Sequence, residues 1–175
     1  MSDIVKFSPD FKLSRYSRSD IDRLVAMLSN PSIAKNLEGP PDPYTHNDAN
    51  DWYNFLDSER VTNPNTARFR YVIRESSSDL LAGDISLCER DEEGSYRLGY
   101  WLAEEYWGRG IMTKAVSAVV GIAKEERVLK IVSYVKQGNW PSRRVLEKNN
   151  FRFLGNNIRD KSGAEFAIWE FELLL

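Results

Sequence analysis

A predicted strand that runs through a Gly-x-Gly turn into a long amphipathic helix is the most constraining feature of this sequence. Residues 96–102 alternate in hydrophobicity, which predicts a strand, and apolar spacings of three and four over residues 111–123 predict a helix. Between them, Gly108 and Gly110 allow the backbone to bend sharply. The first amides of a helix lack partners and carry partial positive charge, so this junction is suited to a phosphate or pyrophosphate.

The spacing of the glycines excludes two common phosphate-binding motifs. No Gly-Lys-Ser/Thr element is present, as a P-loop would require, and Thr113 stands where a dinucleotide fingerprint has its third glycine. The acidic residue expected about 20 positions later is also absent, because Lys130 and Ile131 occupy that place. A nucleotide-binding α/β protein is therefore the weaker alternative, and a strand-to-helix turn without any ligand is another.

Periodicity along the rest of the chain predicts one domain over residues 1–175 that mixes helices with a sheet. Helical patterns begin near Ile21 and after Thr45, and residues 60–66 are predicted as a loop. A period of two then predicts a meander of three strands, the first with a solvated face of arginines, followed by helix, strand, helix and strand. We predict an α+β fold with a single mixed, mostly antiparallel central sheet of about six or seven strands flanked by helices.

Composition excludes several functional classes. Lys and Arg total 24 against 26 Asp and Glu, so the chain lacks the basic excess typical of nucleic-acid binding. Cys88 is a single cysteine and His46 a single histidine, which excludes an internal disulfide framework and a structural zinc site. No apolar run approaches the roughly 20 residues of a membrane span, and residues 1–10 do not have the pattern of a signal peptide. We therefore expect a cytoplasmic protein without metal, nucleic acid or membrane partners.

A second segment makes the glycine turn more informative. After the next predicted strand, Asn139-Trp140-Pro141-Ser142 opens a helix that is followed by Phe151. Together with Trp-Gly-Arg-Gly-Ile-Met at residues 107–112, this segment resembles the GNAT superfamily of acetyl-CoA-dependent N-acetyltransferases, in particular its RimJ/RimL-like branch. The likeness spans nearly the whole chain, although residues 1–60 match only loosely. Trp107 and Met112 depart from the family's usual residues, but the turn acts through backbone amides.

The resemblance implies a GNAT-like fold and an acyltransferase reaction. Acetyl-CoA would be the acetyl donor, and a primary amine would attack its thioester directly, the amine being a protein N-terminus, a polyamine or a small molecule. The turn would hold the pyrophosphate, and the exposed backbone at the end of the preceding strand would pair with the pantetheine arm. The implied cofactor-binding residues are Leu102, Ala103, Gly108, Arg109, Gly110, Ile111, Met112, Thr113 and Asn139.

Two of the residues implied at the start of the later helix also have a purely structural interpretation. Ser142 is implied as the proton donor to the departing thiolate, but serine is common in a first helical turn for capping alone. Asn139 is likewise a good N-cap for a helix that begins with a proline near its start. Arg109 either adds positive charge to the turn or is a solvated surface residue.

The base that removes a proton from the amine is not named by any motif. Asp84, on a central predicted strand, is the preferred candidate. Asp160 and Glu165 near the closing strand are alternatives, as is His46, which we expect in a loop at the surface.

The sequence does not decide which amine accepts the acetyl group, or whether the protein catalyses a reaction at all. Residues 89–105 contain six acidic and two basic side chains, which describes either an acidic rim that attracts a cationic amine or a solvated hairpin. The alternative function is a non-catalytic acyl-CoA-binding or regulatory module that retains the fold. The oligomeric state is also open, with a homodimer among the options.

Overall fold

The computed structural model describes residues 4–161 and 164–175, and within them eight strands form one sheet flanked by helices. The strands are β1 (Val5–Lys6), β2 (Phe11–Ser14), β3 (Arg70–Glu75), β4 (Leu81–Glu89), β5 (Ser95–Leu102), β6 (Lys130–Lys136), β7 (Arg152–Lys161) and β8 (Ala164–Leu174). The helices are α1 (Ile21–Leu28), α2 (Pro31–Ala34), α3 (His46–Thr62), α4 (Pro64–Ala67), α5 (Ile111–Glu125) and α6 (Trp140–Lys148). Two 3-10 turns lie at Arg18–Asp20 and Glu104–Tyr106.

The sheet has the strand order β1-β2-β3-β4-β5-β6-β8-β7. The pairs β1/β2, β2/β3, β3/β4, β6/β8 and β7/β8 are antiparallel, whereas β5 and β6 are parallel and are joined by the crossover helix α5. The predicted mixed, mostly antiparallel α+β architecture is confirmed. The described sheet has more than the predicted six or seven strands because β1 and β2 are two and four residues long, too short to show alternation.

Contacts within the chain divide it into two compact units. The first unit consists of residues 1–86 and 100–111, and the second of residues 87–99 and 112–175. The assignment of one domain to residues 1–175 stays a prediction.

The first unit contains a hydrophobic core formed by residues of α1, α2 and α3 and of strands β3 and β4, with two buried tyrosines. Its buried members include Tyr16, Tyr44 and Val72, with Trp52 and Trp101 packed against them. Aromatic side chains bury a large area and prefer hydrogen-bond partners for their polar atoms, so this core is both apolar and specifically bonded.

The expectation that β3 presents a solvated arginine face is wrong. Arg74 is 4% exposed, and its guanidinium pairs with Asp20, with an Nη1 to Oδ1 distance of 2.6 Å. Arg70, also on β3, is half-buried and pairs with Glu59 of α3. The alternating pattern correctly predicted a strand, but both arginines are at least partly withdrawn from solvent, and each is paired with an acidic side chain.

Helix α3 begins as predicted after Thr45, whose side chain accepts a hydrogen bond from the Asp48 amide in a capping box. Two expectations around this helix are wrong. His46 is the first residue of α3 rather than a loop residue, and the predicted loop at residues 60–66 is instead the end of α3 followed by α4. Asn63 caps α4 and Pro64 is its first residue, so the polar composition that suggested a loop marks a helix start.

Candidate active site

The glycine turn has the backbone conformation that only glycine adopts without strain. Gly108 and Gly110 have φ values of +73° and +71°, and α5 begins at the next residue, Ile111. A Cβ placed on either glycine would meet no atom within 4 Å, so the space beside the turn is open. The first turn of the 15-residue helix α5 contains no acidic residue. An open space beside unpartnered helix amides is a site for an anion.

The backbone of Leu102 and Ala103 is more engaged than the sequence suggested. The Ala103 amide donates to the carbonyl of Ala82 at 2.8 Å, and the Ala103 carbonyl accepts from the amide of Tyr106 at 3.0 Å. The Leu102 carbonyl accepts a hydrogen bond from the indole Nε1 of Trp107 at 2.7 Å. A ligand that pairs with this segment must therefore share the carbonyls, each of which has a second lone pair, or displace the indole.

Arg109 lies over two aromatic rings beside the glycine turn, and both sequence interpretations of this residue stay open. Its side chain is exposed, but its guanidinium lies 5.7 Å from the ring centroid of Phe11 and 5.6 Å from that of Tyr106. The Tyr106 hydroxyl donates to Glu75 at 3.1 Å. Hydrogen bonds from Ser78 and Tyr106 lower the pKa of Glu75, and the charge of Arg109 adds to this effect. The cation is therefore held over an aromatic pair while its outer face stays in contact with solvent.

Within the second unit, the beginning of α5 lies beside the end of α6. Met112 is buried and Thr113 is half-buried, and the Thr113 carbonyl accepts a hydrogen bond from Asn149 Nδ2 at 3.1 Å. Ser142 lies near the other end of α6, seven residues earlier, which corresponds to about 10 Å along the helix axis. A ligand that reached both places would have to be extended.

The first turn of α6 shows the capping role of Asn139 directly. Its side-chain Oδ1 accepts a hydrogen bond from the backbone amide of Ser142 at 3.2 Å, and Pro141 follows within the first turn. The Ser142 side chain is half-buried. The roles of Asn139 toward a cofactor and of Ser142 in proton transfer stay predictions.

The side chain that follows Ser142 belongs to an aromatic cluster. The guanidinium of Arg143 lies 5.4 Å from the ring of Trp140, 5.0 Å from Trp169 and 4.8 Å from Phe153. The same guanidinium donates to Glu147 at 2.7 Å. The positive charge of Arg143 is thus engaged within the protein.

Asp84 lies within β4, opposite Val72 of β3, and is bonded by a buried phenol. The Tyr16 hydroxyl donates to Oδ2 of Asp84 at 3.0 Å. Because an ionised carboxylate can only accept, the phenol uses its own proton in this bond. Trp52 packs against the core cluster that contains Tyr16, and we call Trp52, Tyr16 and Asp84 together the Asp84 relay.

Burial controls the titration of both acids in the Asp84 relay. Burial raises the pKa of Asp84 from 3.8 to about 7, although the Tyr16 hydrogen bond and the charge of Arg70 act in the opposite direction. Burial, followed by the charge of Asp84, raises the pKa of Tyr16 well above its ordinary value. Near neutral pH, Asp84 is able to accept or release a proton while Tyr16 remains a donor.

The other candidate bases differ from Asp84 in their surroundings. His46 is exposed, with Nε2 3.1 Å from Oδ1 of Asp22, and Glu165 is exposed on β8. The side chain of Asp160 lies outside the described residues. Among the described candidates, Asp84 alone combines burial with a bonded tyrosine.

Acidic residues near the hairpin are engaged in ion pairs and hydrogen bonds. Glu92 pairs with Lys130 at 2.6 Å, Glu104 accepts from Asn30 at 2.8 Å, and Glu105 pairs with Arg23 at 2.7 Å. Both interpretations of residues 89–105, an acidic rim that attracts a cationic amine and a solvated hairpin, stay open. These partners offset part of the negative charge that such a rim would need.

Sequence reasoning missed Tyr16 and Trp52. Tyr16 is 68 residues away from Asp84 in the chain, and neither Tyr16 nor Trp52 belongs to a recognisable motif. Tyr16 lies two residues beyond the end of β2 and offered no signal, because its partner is set by the pairing of β2, β3 and β4.

The family model described as an acetyltransferase (GNAT) domain matches residues 10–152. The chain is also 36% identical over 105 residues to the protein named "Probable N-acetyltransferase YjcK" from Bacillus subtilis (strain 168). That match covers 58% of this chain and 57% of the relative, so it spans little more than half of each protein.

Solved structures with the same fold cover nearly the full chain. A GNAT-family acetyltransferase from Bacillus anthracis is 18% identical, with a TM-score of 0.81 and coverage of 98% of both chains. RimL, a ribosomal L7/L12 alpha-N-protein acetyltransferase in complex with coenzyme A, is also 18% identical, with a TM-score of 0.82 and coverage of 98% of both. RimJ of Mycobacterium smegmatis with CoA-disulfide is 19% identical, with a TM-score of 0.77 and coverage of 94% of this chain and 81% of RimJ.

Proposed function

This chain belongs to the GNAT acetyltransferase family, and from that premise we propose that it transfers the acetyl group of acetyl-CoA to a primary amine by direct attack. The observation that carries the donor assignment is the open glycine turn at the beginning of α5. The pyrophosphate of acetyl-CoA would accept hydrogen bonds from the amides of this turn. The RimL and RimJ structures that share the fold contain coenzyme A or its disulfide, which supports the same donor here.

We propose that the donor is held at three places, namely the glycine turn, the end of β5, and Asn139 directly before α6. Gly108 and Gly110 would shape the phosphate seat, and Ile111 and Met112 would fix the first turn of α5 through their burial. Leu102 and Ala103 would meet the pantetheine arm through the remaining lone pairs of their carbonyls.

The proposed reaction joins the amine nitrogen to the thioester carbonyl carbon and breaks the carbon–sulfur bond. A neutral amine attacks, and the Asp84 carboxylate takes the proton that the nitrogen loses. The departing sulfur receives a proton from the Ser142 hydroxyl, and exchange with water restores both groups. Holding the two reactants together supplies much of the acceleration, and the proton transfers add to it.

The proposed acceptor is a primary amine in a cytoplasmic setting, with a protein N-terminus as the first class to test. The fold neighbours named as acetyltransferases of L7/L12 and of ribosomal protein S5 motivate this order. Polyamines and small amines follow as further classes.

The experiment is an acceptor panel with acetyl-CoA, in which free thiol is measured together with acetylated product by mass spectrometry. We expect turnover with at least one amine class, and thermal stabilisation by acetyl-CoA that ATP and NAD do not produce. Binding of acetyl-CoA without consumption of any amine would instead favour the non-catalytic acyl-CoA-binding module. Asp84→Asn should lower kcat by about 100-fold or more if Asp84 is the base, with acetyl-CoA affinity retained.

A further inference from the structure

The tyrosine that bonds Asp84 is buried in the core of the first unit. Tyr16 is 7% exposed, its phenol donates to Asp84 Oδ2 at 3.0 Å, and Trp52 packs against the same core cluster. A buried phenol that is packed and hydrogen-bonded in this way has little rotational freedom. The phenol therefore occupies one oxygen of the carboxylate in a defined orientation.

The charged and titratable groups near this pair come from several elements. Arg70 on β3 lowers the pKa of Asp84 by its charge, and its guanidinium is itself paired with Glu59 of α3. Tyr44, which precedes α3, and Arg74 on β3 interact electrostatically with Tyr16. Of these groups, Tyr16 makes the direct hydrogen bond to Asp84 that the structure describes.

We propose that Tyr16 is a positioning residue for the reaction, which presents Asp84 to the acceptor amine in one orientation and stabilises its ionised form. Because Tyr16 donates to Oδ2, Oδ1 is the oxygen proposed to receive the proton that leaves the amine. Trp52 supports this arrangement through the packing of the core cluster that holds Tyr16. The inference rests on the proposed function, in which Asp84 is the proton acceptor.

The effect of Tyr16 has a definite sign. A hydrogen bond donated to the carboxylate favours its charged form and holds its pKa lower than burial alone would. Without the phenol proton, Asp84 would stay protonated to higher pH, and fewer molecules would carry an active base at neutral pH. A loss that is recovered at higher pH distinguishes this role from a purely structural one.

The test compares Tyr16→Phe with Tyr44→Phe, which removes a buried phenol from the same core cluster without removing the hydrogen bond to Asp84. We expect the acidic limb of the kcat/KM pH profile to move up by roughly one pH unit in Tyr16→Phe, with about a fivefold loss at pH 7 that is recovered at higher pH. Tyr44→Phe should leave the limb in place.

A second measurement keeps this proposal separable from the proposed function. The Asp84 carboxyl is followed by carbon-13 NMR titration of the ligand-free protein, assigned with Asp84→Asn. A Tyr16-dependent titration in a protein without turnover contradicts the proposed function while the coupling of Tyr16 to Asp84 stands. A titration and a pH profile that are both unchanged in folded Tyr16→Phe overturn the positioning role, whatever the level of turnover.

Discussion

The glycine turn and the Asp84 relay are built on opposite principles, although both belong to the first compact unit. The turn is defined by consecutive backbone conformations, and its two glycines meet no neighbouring atoms. The Asp84 relay is defined by side chains from three separate segments, each of them at least partly buried. The turn therefore tolerates changes in its surroundings, whereas the relay depends on the packing of the whole core.

This difference predicts how each region fails. A change in the turn should abolish ligand binding and leave the fold and its titrations intact. A change in the Asp84 relay should alter titration and stability and leave donor binding intact. The following predictions test that separation, from the largest expected effect to the smallest.

Gly110→Glu should abolish acetyl-CoA binding. A glutamate at this positive φ would strain the backbone. Its charge would repel a phosphate about 4 Å away by about 4 kcal/mol near the protein surface, which corresponds to a loss of affinity of about 1000-fold. Isothermal titration calorimetry measures the effect. Gly121→Glu is the matched control, because Gly121 also has open space around it but lies within α5 without a positive φ. Unchanged affinity in Gly110→Glu would remove the turn from the binding site.

Asp84→Asn should change how stability depends on pH. The pKa of Asp84 is raised in the folded protein from 3.8 to about 7, so the folded state binds the proton more tightly than the unfolded state does. The contribution of this group is complete below about pH 4 and is lost as the pH rises to about 7, which lowers the free energy of unfolding by a few kcal/mol, about 4 at most.

The measurement is urea unfolding across that pH range. Asp84→Asn should remove most of the decline, and Asp91→Asn, at an exposed position between β4 and β5, should keep it. A wild-type profile that is flat between these pH values would show that Asp84 is not buried as a protonated acid.

Ser142→Ala should lower kcat by about 100-fold through loss of a proton donor, with little change in acetyl-CoA affinity. The helix start should survive, because Asn139 accepts from the backbone amide of residue 142 and not from its side chain. Asn139→Ala is the informative counterpart and should cost about 1 kcal/mol of stability. Steady-state kinetics and thermal unfolding together separate the two residues. Equal kcat in Ser142→Ala and wild type would exclude Ser142 from the mechanism.

Trp107→Phe should have the smallest effect. It keeps an aromatic ring beside the turn but removes the hydrogen bond to the Leu102 carbonyl, at a cost of about 1 kcal/mol. Acetyl-CoA affinity should change by only a few-fold, because the glycine backbone is unaltered. A gain in affinity would indicate that the indole competes with the pantetheine arm for the Leu102 carbonyl.

Local patterns correctly predicted the elements that carry the glycine turn and the Asn139 cap, since each depends on a few neighbouring residues. The buried Arg74 and the helical position of His46 were missed for a common reason. An arginine on an alternating strand is buried only when a distant acid, here Asp20, is brought to it. The loop expected at residues 60–66 failed differently, because asparagine and proline begin helices as well as turns.

The sequence by itself determined the α+β class, the strand–turn–helix junction at Gly108 and Gly110, and the likeness to the GNAT family, because periodicity, glycine conformation and helix capping act over short stretches of chain. Only the tertiary structure decided that Trp52, Tyr16 and Asp84 meet, and that Asp84 is buried enough for its pKa to rise to about 7. The pairing of β2 with β3 and of β3 with β4 sets the neighbours of that half-buried carboxyl, and these neighbours remove part of its contact with water. Desolvation depends on every neighbour at once, and no short pattern of residues encodes it.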